Sequence, residues 1–189
     1  MKKWAIALLF FIALWLAPTR EVHAGFELMG EVSLMISYSK TNFGENAYTT
    51  SRRYMGALSV YITPLTQIEL SYTHTDTFFN YDPVQTTDIN EQALGLSVIQ
   101  ALVPREWVVQ PYGKAGIAQY NRKQSGTVAG IPTRPTSSKS PSAILGAGVR
   151  IFLLRNFSLK VEAVTFLPDM KFGEADDNFS VQGGMGWHF

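Results

Sequence analysis

Apolar and polar residues alternate along most of the chain. In residues 26–40 one side of the alternation carries Phe26, Leu28, Gly30, Val32, Leu34, Ile36 and Tyr38, and the other side carries Glu27, Glu31, Ser33, Ser37 and two methionines. A period of two places successive side chains on opposite faces of a β-strand, whereas helical spacing would scatter both sets around a cylinder. The pattern therefore predicts a strand with one apolar face.

Seven further runs give the same result, at residues 53–63, 66–76, 89–100, 107–120, 142–153, 157–166 and 178–189. The run 107–120 alternates weakly, and its polar side is chosen so as to include Lys114. With that choice Ile117 faces the apolar side, and no Asp, Glu, Lys or Arg falls on the apolar face of any strand except Lys40 and Asp76 at the ends of their runs. We therefore expect eight strands and an all-β domain.

The alternation alone does not decide where the apolar faces point. A soluble sandwich buries them, whereas a barrel in lipid turns them outward and pairs every backbone group by closure. The final run, VQGGMGWHF, ends on the aromatic Phe189, and an N-terminal export signal precedes the strands. These two features favour a closed transmembrane β-barrel.

The export signal consists of a basic start at Lys2 and Lys3, an apolar run over residues 4–17, and small residues before Gly25. That layout is typical of a cleaved signal peptide, and the apolar run is too short for a spanning helix; a retained membrane anchor is the less favoured alternative. We expect a signal peptide at residues 1–24 and one domain at residues 25–189.

The composition of the expected mature chain excludes several classes of protein. It holds 13 basic and 14 acidic residues, and the whole chain has no cysteine. The near-zero net charge gives no reason to expect a nucleic-acid partner, and the absence of cysteine excludes a disulfide framework or a lipoprotein anchor.

Short and long connections alternate between the predicted strands. The short ones span residues 63–66, 101–106 and 154–156, and the long ones span residues 41–52, 77–88, 121–141 and 167–177. Transmembrane barrels have short periplasmic turns and long extracellular loops, so both termini are expected in the periplasm. Aromatic residues cluster near both sets of strand ends, as two interface girdles would require.

Four segments together resemble the outer-membrane β-barrel superfamily of OmpA-like, OmpX-like and opacity-type proteins: QPYGKAGIAQY, GAGVRIF, FSLKVEAVTF and the terminal GMGWHF. The resemblance implies a location in the cell outer membrane. The alternation of the last run places Trp187 and Phe189 on the lipid-facing side, and the resemblance implies that Phe189 is a signal read by the barrel assembly machinery. The peptidoglycan-binding domain of OmpA itself is not expected here.

The inward faces of the strands carry charged residues, which an eight-stranded lumen is just wide enough to hold. Those expected in the lower half, as an ion-pair network, are Glu27, Glu31, Glu69, Lys114, Arg150, Lys160 and Glu162. Arg53 and Glu91 are expected to face inward nearer the long loops, and inward glycines such as Gly148 and Gly186 are expected to make room for long side chains. A structural plug is favoured over a gated polar path.

Catalytic and metal chemistry has little support in this sequence. Only His74 and His188 follow the export signal, and neither lies in a recognisable Ser/His/acid spacing. Because a catalytic triad is a matter of geometry, a lipid A-modifying barrel enzyme stays as a less favoured alternative. We expect no enzymatic activity, no cofactor and no metal site.

The connection at residues 121–141 is basic, with Arg122, Lys123, Arg134 and Lys139, and the connection at residues 167–177 is acidic. The basic residues are candidates to contact lipopolysaccharide phosphates or a surface partner; alternatively, the two loops neutralise each other. The sequence thus predicts a small monomeric barrel with a structural or surface-interaction role. An OmpW-like channel or transporter for small solutes is the main alternative.

Overall fold

In a computed structural model, residues 30–43, 47–81, 85–170 and 179–189 are described, and they form strands joined by turns. The strands are β1 Gly30–Asn42, β2 Ala47–Tyr61, β3 Thr66–Tyr81, β4 Gln85–Ala101, β5 Val109–Val128, β6 Ile131–Pro132, β7 Thr136–Leu154, β8 Phe157–Pro168 and β9 Phe179–His188. Among these residues, no helix is long and apolar enough to cross a membrane. The expected signal peptide lies outside the described residues and stays a prediction.

The eight long strands close into an antiparallel barrel. Each pairs with its neighbours, and β1 pairs with β9 to complete the ring; β6 is a two-residue extension of the β5 hairpin. Following paired residues from Leu34 through β2, β3 and β4 leads to Gln119 on β5, whereas the path through β9, β8 and β7 leads to Val109 on β5. This offset of ten residues tilts the strands and fixes a narrow lumen. The predicted eight-stranded fold is confirmed.

The side chains of the barrel wall point where the alternation places them. Leu34, Ile36 and Ile117 are about two-thirds exposed on the outer wall, whereas Glu31 and Lys114 face inward and are almost fully buried. The polar side chosen for β5 on the strength of Lys114 is therefore the inward side. A wall that is apolar outside and polar inside is the arrangement of barrels that sit in lipid.

The short-turn end of the barrel agrees with the prediction, whereas the long-loop end differs from it. At the short-turn end, which holds the connections 62–65, 102–108 and 155–156, the turns are brief, as expected. At the opposite, long-loop end, three of the predicted loops are mostly strand: β5 runs to Val128 and β7 begins at Thr136. Sequence reasoning missed these extensions because both faces of a strand beyond the apolar band are polar, so the alternation disappears. The turn at the tip of β5 uses Ala129 and Gly130, both with positive φ, which suits a two-residue hairpin.

Candidate functional site in the barrel lumen

The lower lumen, nearer the short-turn end, is filled by ion pairs centred on Glu31. One carboxylate oxygen of Glu31 lies 2.8 Å from Arg150 Nη2, and the other lies 2.9 Å from Lys160 Nζ. The three residues come from β1, β7 and β8, so the contacts cross the interior of the barrel. Side chains of all three are at most 1% exposed.

A second set of ion pairs continues the network upward. Lys114 Nζ lies 2.6 Å from Glu69 Oε1 and 3.3 Å from Glu162 Oε1, and Lys160 Nζ lies 3.9 Å from Glu69 Oε2. Three carboxylates thus face three cations, and the six side chains are at most 1% exposed. Charges buried without partners would each cost several kcal/mol, so the mutual pairing is what makes this interior tolerable. Glu27, the seventh predicted member, lies outside the described residues.

Neutral side chains add hydrogen bonds to several of these charges. Arg150 donates to Gln110 Oε1 at 2.8 Å and to Gln67 Oε1 at 2.9 Å, while Tyr112 donates to Glu162 Oε2 at 2.9 Å. Gln182 also donates to Glu162, at 3.1 Å. Sequence reasoning did not single out Gln67, Gln110 or Tyr112, because an uncharged residue on an inward face carries no signal beyond its position in the alternation.

Two inward glycines make the space that the long side chains need. A Cβ at Gly186 would lie 2.8 Å from Glu31 Oε1, and a Cβ at Gly148 would lie 2.6 Å from the Tyr112 hydroxyl. Both distances are shorter than van der Waals contact. A side chain at either position would therefore displace a member of the network.

An apolar layer lies above the ion pairs, and sequence reasoning missed it. It is a cluster of six buried residues: Ala93, Ala118, Tyr120, Ile144, Val164 and Phe166. All six occupy the inward phase of β4, β5, β7 and β8, the same faces that carry the charges lower down. The six residues differ from the charged residues in their position along the strand and not in the face that they occupy. Only the register between strands therefore shows that the six lie at the same height.

A polar vestibule opens above the apolar layer. It is a cavity of about 860 Å³ whose wall is rich in serine and threonine hydroxyls. Arg53 lies at its floor, donating to Thr75 Oγ1 at 3.0 Å and to Ser180 Oγ at 2.5 Å, with its guanidinium 5.4 Å from the centre of the Phe166 ring. Glu91 faces the vestibule and lies 3.7 Å from Arg122 Nε.

The predicted basic loop is in fact part of a long hairpin. Arg122 and Lys123 lie on β5 and Lys139 lies on β7, and only Arg134 falls in the connection between them. Lys123 pairs with Ser137, and Lys139 pairs with Asn121, so the two lysines are diagonal neighbours on the outer face. Arg122 points to the inner face instead. All four side chains are exposed.

One contact resembles part of a hydrolase triad. Ser158 Oγ lies 2.9 Å from His188 Nε2, and His188 Nδ1 lies 3.8 Å from Glu31 Oε2. The second distance is too long for a hydrogen bond, and Glu31 is already committed to two cations. Because Ser158, His188 and Glu31 are completely buried, no substrate reaches the serine in this arrangement. The described residues also contain no cluster of three His, Cys, Asp or Glu side chains that could hold a metal ion.

Comparison with known proteins agrees with the barrel geometry. A model of the family described as "Outer membrane protein beta-barrel domain" matches residues 5–189. The N-terminal β-barrel domain of Pseudomonas aeruginosa OprF is similar in structure, with a TM-score of 0.59 and 18% identity over 85% of this chain and 97% of that one. The attachment invasion locus protein Ail of Yersinia pestis, in complex with the heparin analogue sucrose octasulfate, gives a TM-score of 0.55 and 15% identity over 87% and 100%. At such identities the likeness concerns the fold, and no curated protein matches the chain.

Proposed function

The chain belongs to the outer membrane β-barrel family, and from that premise we propose that it is a closed, non-enzymatic barrel that acts through the hairpins at its long-loop end. In this proposal the short-turn end faces the periplasm and the hairpins face the outside of the cell. The protein is exported by the signal at residues 1–24, inserted by the barrel assembly machinery, and works as a monomer in envelope integrity or adhesion-type contacts.

The observation that supports a closed lumen is the stacking of two different seals. Arg150 and Lys160, each 1% exposed, belong to the ion-pair network, and Ile144, also 1% exposed, belongs to the apolar layer above it. An ion crossing the barrel would have to break buried ion pairs and then pass an apolar constriction. Each step is costly because the charges of the first seal are already paired and the second seal has few polar groups to replace the hydration shell of the ion.

Conductance measurements on the refolded protein in planar bilayers test this proposal. We expect no stable open events at moderate voltages. The variant Ile144→Gly is expected to stay closed as well, because the ion pairs remain; adding Lys160→Ala is expected to produce openings. Stable channels in the wild-type protein would contradict the plug and favour the channel alternative.

The same proposal assigns lipopolysaccharide as the partner of the outer face of the β5–β7 hairpin. Lys123 and Lys139 are exposed neighbours on that face, and Arg134 lies close to the hairpin tip. An anion between two adjacent cations offsets their mutual repulsion, and lipid A and the inner core sugars carry phosphates. The structurally similar Ail forms a complex with the heparin analogue sucrose octasulfate, which is therefore a suitable soluble polyanion for probing these residues.

A further inference from the structure

The barrel wall contains a gap between its first and last strands. β1 and β9 pair only from Glu31↔His188 to Ile36↔Gly183. Beyond that point β1 continues to Asn42, paired with β2 on its other side, while β9 begins at Phe179, paired with Thr165 of β8. Continuing this register, residues 37–40 of β1 and 179–182 of β9 face each other without strand pairing. We call the six of them that also line the vestibule, residues 37–39 and 179–181, the seam.

The seam lies at the height of one of the two aromatic girdles. Tyr38 and Phe179 belong to the girdle near the long-loop end, and their side chains are about 60% exposed on the outer wall. All six seam residues also line the vestibule. The seam therefore connects the lipid-facing surface with the interior cavity, at the depth where lipid head groups meet acyl chains.

Arg53 crosses the inner side of the seam. Arg53 lies on β2, where it pairs across the sheet with Ser37 of β1. Its side chain reaches Ser180 on β9. Arg53 is 9% exposed, and among the described residues its guanidinium donates hydrogen bonds to the hydroxyls of Ser180 and Thr75. The face of the Phe166 ring lies beside it, and the carboxylate of Glu91 attracts it at longer range. That attraction offsets only part of the cost of burying the cation, and an anion in direct contact with Arg53 would offset more of it.

The backbone groups of the seam also need hydrogen-bond partners. Unpaired N–H and C=O groups at membrane depth cost several kcal/mol each, which is why membrane barrels normally leave no open edge. Here the edge of β1 beyond Ile36 and the edge of β9 beyond Gly183 are both open within the described residues. An anionic head group in the seam would accept hydrogen bonds from the free N–H groups and contact Arg53 at the same time.

We propose that the vestibule binds a single-chain anionic amphiphile, such as a long-chain carboxylate, which enters from the membrane through the seam. The anionic head pairs with Arg53 and the seam hydroxyls, and the acyl chain stays in the lipid against Tyr38 and Val181. The cavity of about 860 Å³ is within the usual range for small-molecule sites. This site lies above both seals of the lumen, so it does not depend on whether the barrel conducts.

Photo-crosslinking maps this site on the full chain, refolded in the neutral detergent dodecyl maltoside. The probe is a dodecanoate with a diazirine on its chain, and mass spectrometry locates the labelled residues. We expect saturable labelling concentrated on the seam and displaced by unlabelled dodecanoate. Labelling spread evenly around the lipid-facing wall would overturn the proposal without any variant being needed. If dodecanol displaces the probe as effectively as dodecanoate does, the role of the anionic head group is overturned.

Two arginine variants test the role of the buried cation. Arg53→Gln is expected to lower the affinity for dodecanoate about tenfold or more, and Arg53→Lys is expected to retain most of it. Arg122→Gln is the matched control, because Arg122 is exposed in the same vestibule and pairs with Glu91. The affinity of this variant for dodecanoate is expected to stay within twofold of that of the wild type. Equal affinity of Arg53→Gln and wild type, with heat-modifiable migration showing that both fold, would overturn the assignment. Hexanoate or inorganic phosphate competing as well as dodecanoate would show a soluble-anion pocket instead.

Discussion

Gly30 and Phe189 close the barrel on each other at its short-turn end. The N–H of Gly30 donates to the carbonyl of Phe189 at 2.8 Å, and the N–H of Phe189 donates to the carbonyl of Gly30 at 3.0 Å. The ring of Phe189 also covers Gly30, since a Cβ on Gly30 would lie 2.5 Å from the ring Cζ. The terminal aromatic residue is therefore the last rung between β1 and β9 as well as an outward-facing side chain.

A side chain at Gly30 is expected to displace this ring. Gly30→Val should lower the free energy of unfolding by about 1–3 kcal/mol, the usual cost of overpacking. Urea unfolding of the protein in lipid vesicles, followed by tryptophan fluorescence, measures the change. Gly56→Ala is the control, because the nearest atom to a Cβ there is Leu34 Cδ2 at an ordinary 3.8 Å. Equal losses in both variants would show that the close contact with Phe189 is not the cause.

Deleting Phe189 tests its proposed role as an assembly signal. Two backbone hydrogen bonds and the terminal ring are lost together, so we expect less folded protein in the outer membrane. The measurement is the heat-modifiable fraction in isolated outer membranes. Phe189→Ala separates the two effects because it keeps the backbone pairing with Gly30. If the deletion assembles as well as wild type does, Phe189 is an interface anchor only.

The alternation of residues was enough to predict eight strands, their outward faces and the charged residues of the lumen. It worked because lipid outside and a narrow interior impose opposite demands on alternate residues. Ile144 and Arg150 share one inward phase, yet one lies in the apolar layer and the other in the ion-pair network. Both lie on β7, six residues apart, and the side chains that each meets across the lumen depend on the ten-residue offset between strands, which no local pattern encodes. The seam was equally hidden, because residues 37–39 continue the alternation of β1 although their partner strand has left them.

The coupling between Glu31 and Lys160 can be measured directly. Each single change removes one charged partner of a buried charge, because Glu31 would keep only Arg150 and Lys160 would keep only Glu69, at 3.9 Å. Glu31→Gln and Lys160→Met are therefore each expected to cost about 3–5 kcal/mol of unfolding free energy. The double variant should cost less than the sum, because both members of the pair are removed together. Urea unfolding in vesicles provides all four values. Additive losses would indicate that the 2.9 Å contact contributes little.

Ser158 provides a test of the non-enzymatic proposal. Its hydroxyl contacts His188, but both residues are completely buried. We expect no labelling of the folded protein by a fluorophosphonate, which reacts with activated serines. Ser158→Ala should lower stability by about 1 kcal/mol through the lost hydrogen bond, without changing lipid A in cells that express the protein. Labelling of wild type that disappears in Ser158→Ala would establish an active serine instead.

The outer face of the β5–β7 hairpin offers a test of lipopolysaccharide binding. Changing Lys123, Arg134 and Lys139 to glutamate replaces three exposed cations with anions, so phosphate groups should be repelled. We expect the affinity for lipopolysaccharide, measured on the folded protein at low salt, to fall at least tenfold, and binding of sucrose octasulfate to fall with it. Arg122→Glu alone should have little effect, because Arg122 points to the inner face of the barrel.

Raising the salt concentration should weaken lipopolysaccharide binding by the wild type more than binding by the triple variant, because screening acts on the charges that the variant has lost. Unchanged lipopolysaccharide binding in the triple variant would mean that these side chains are only solvated.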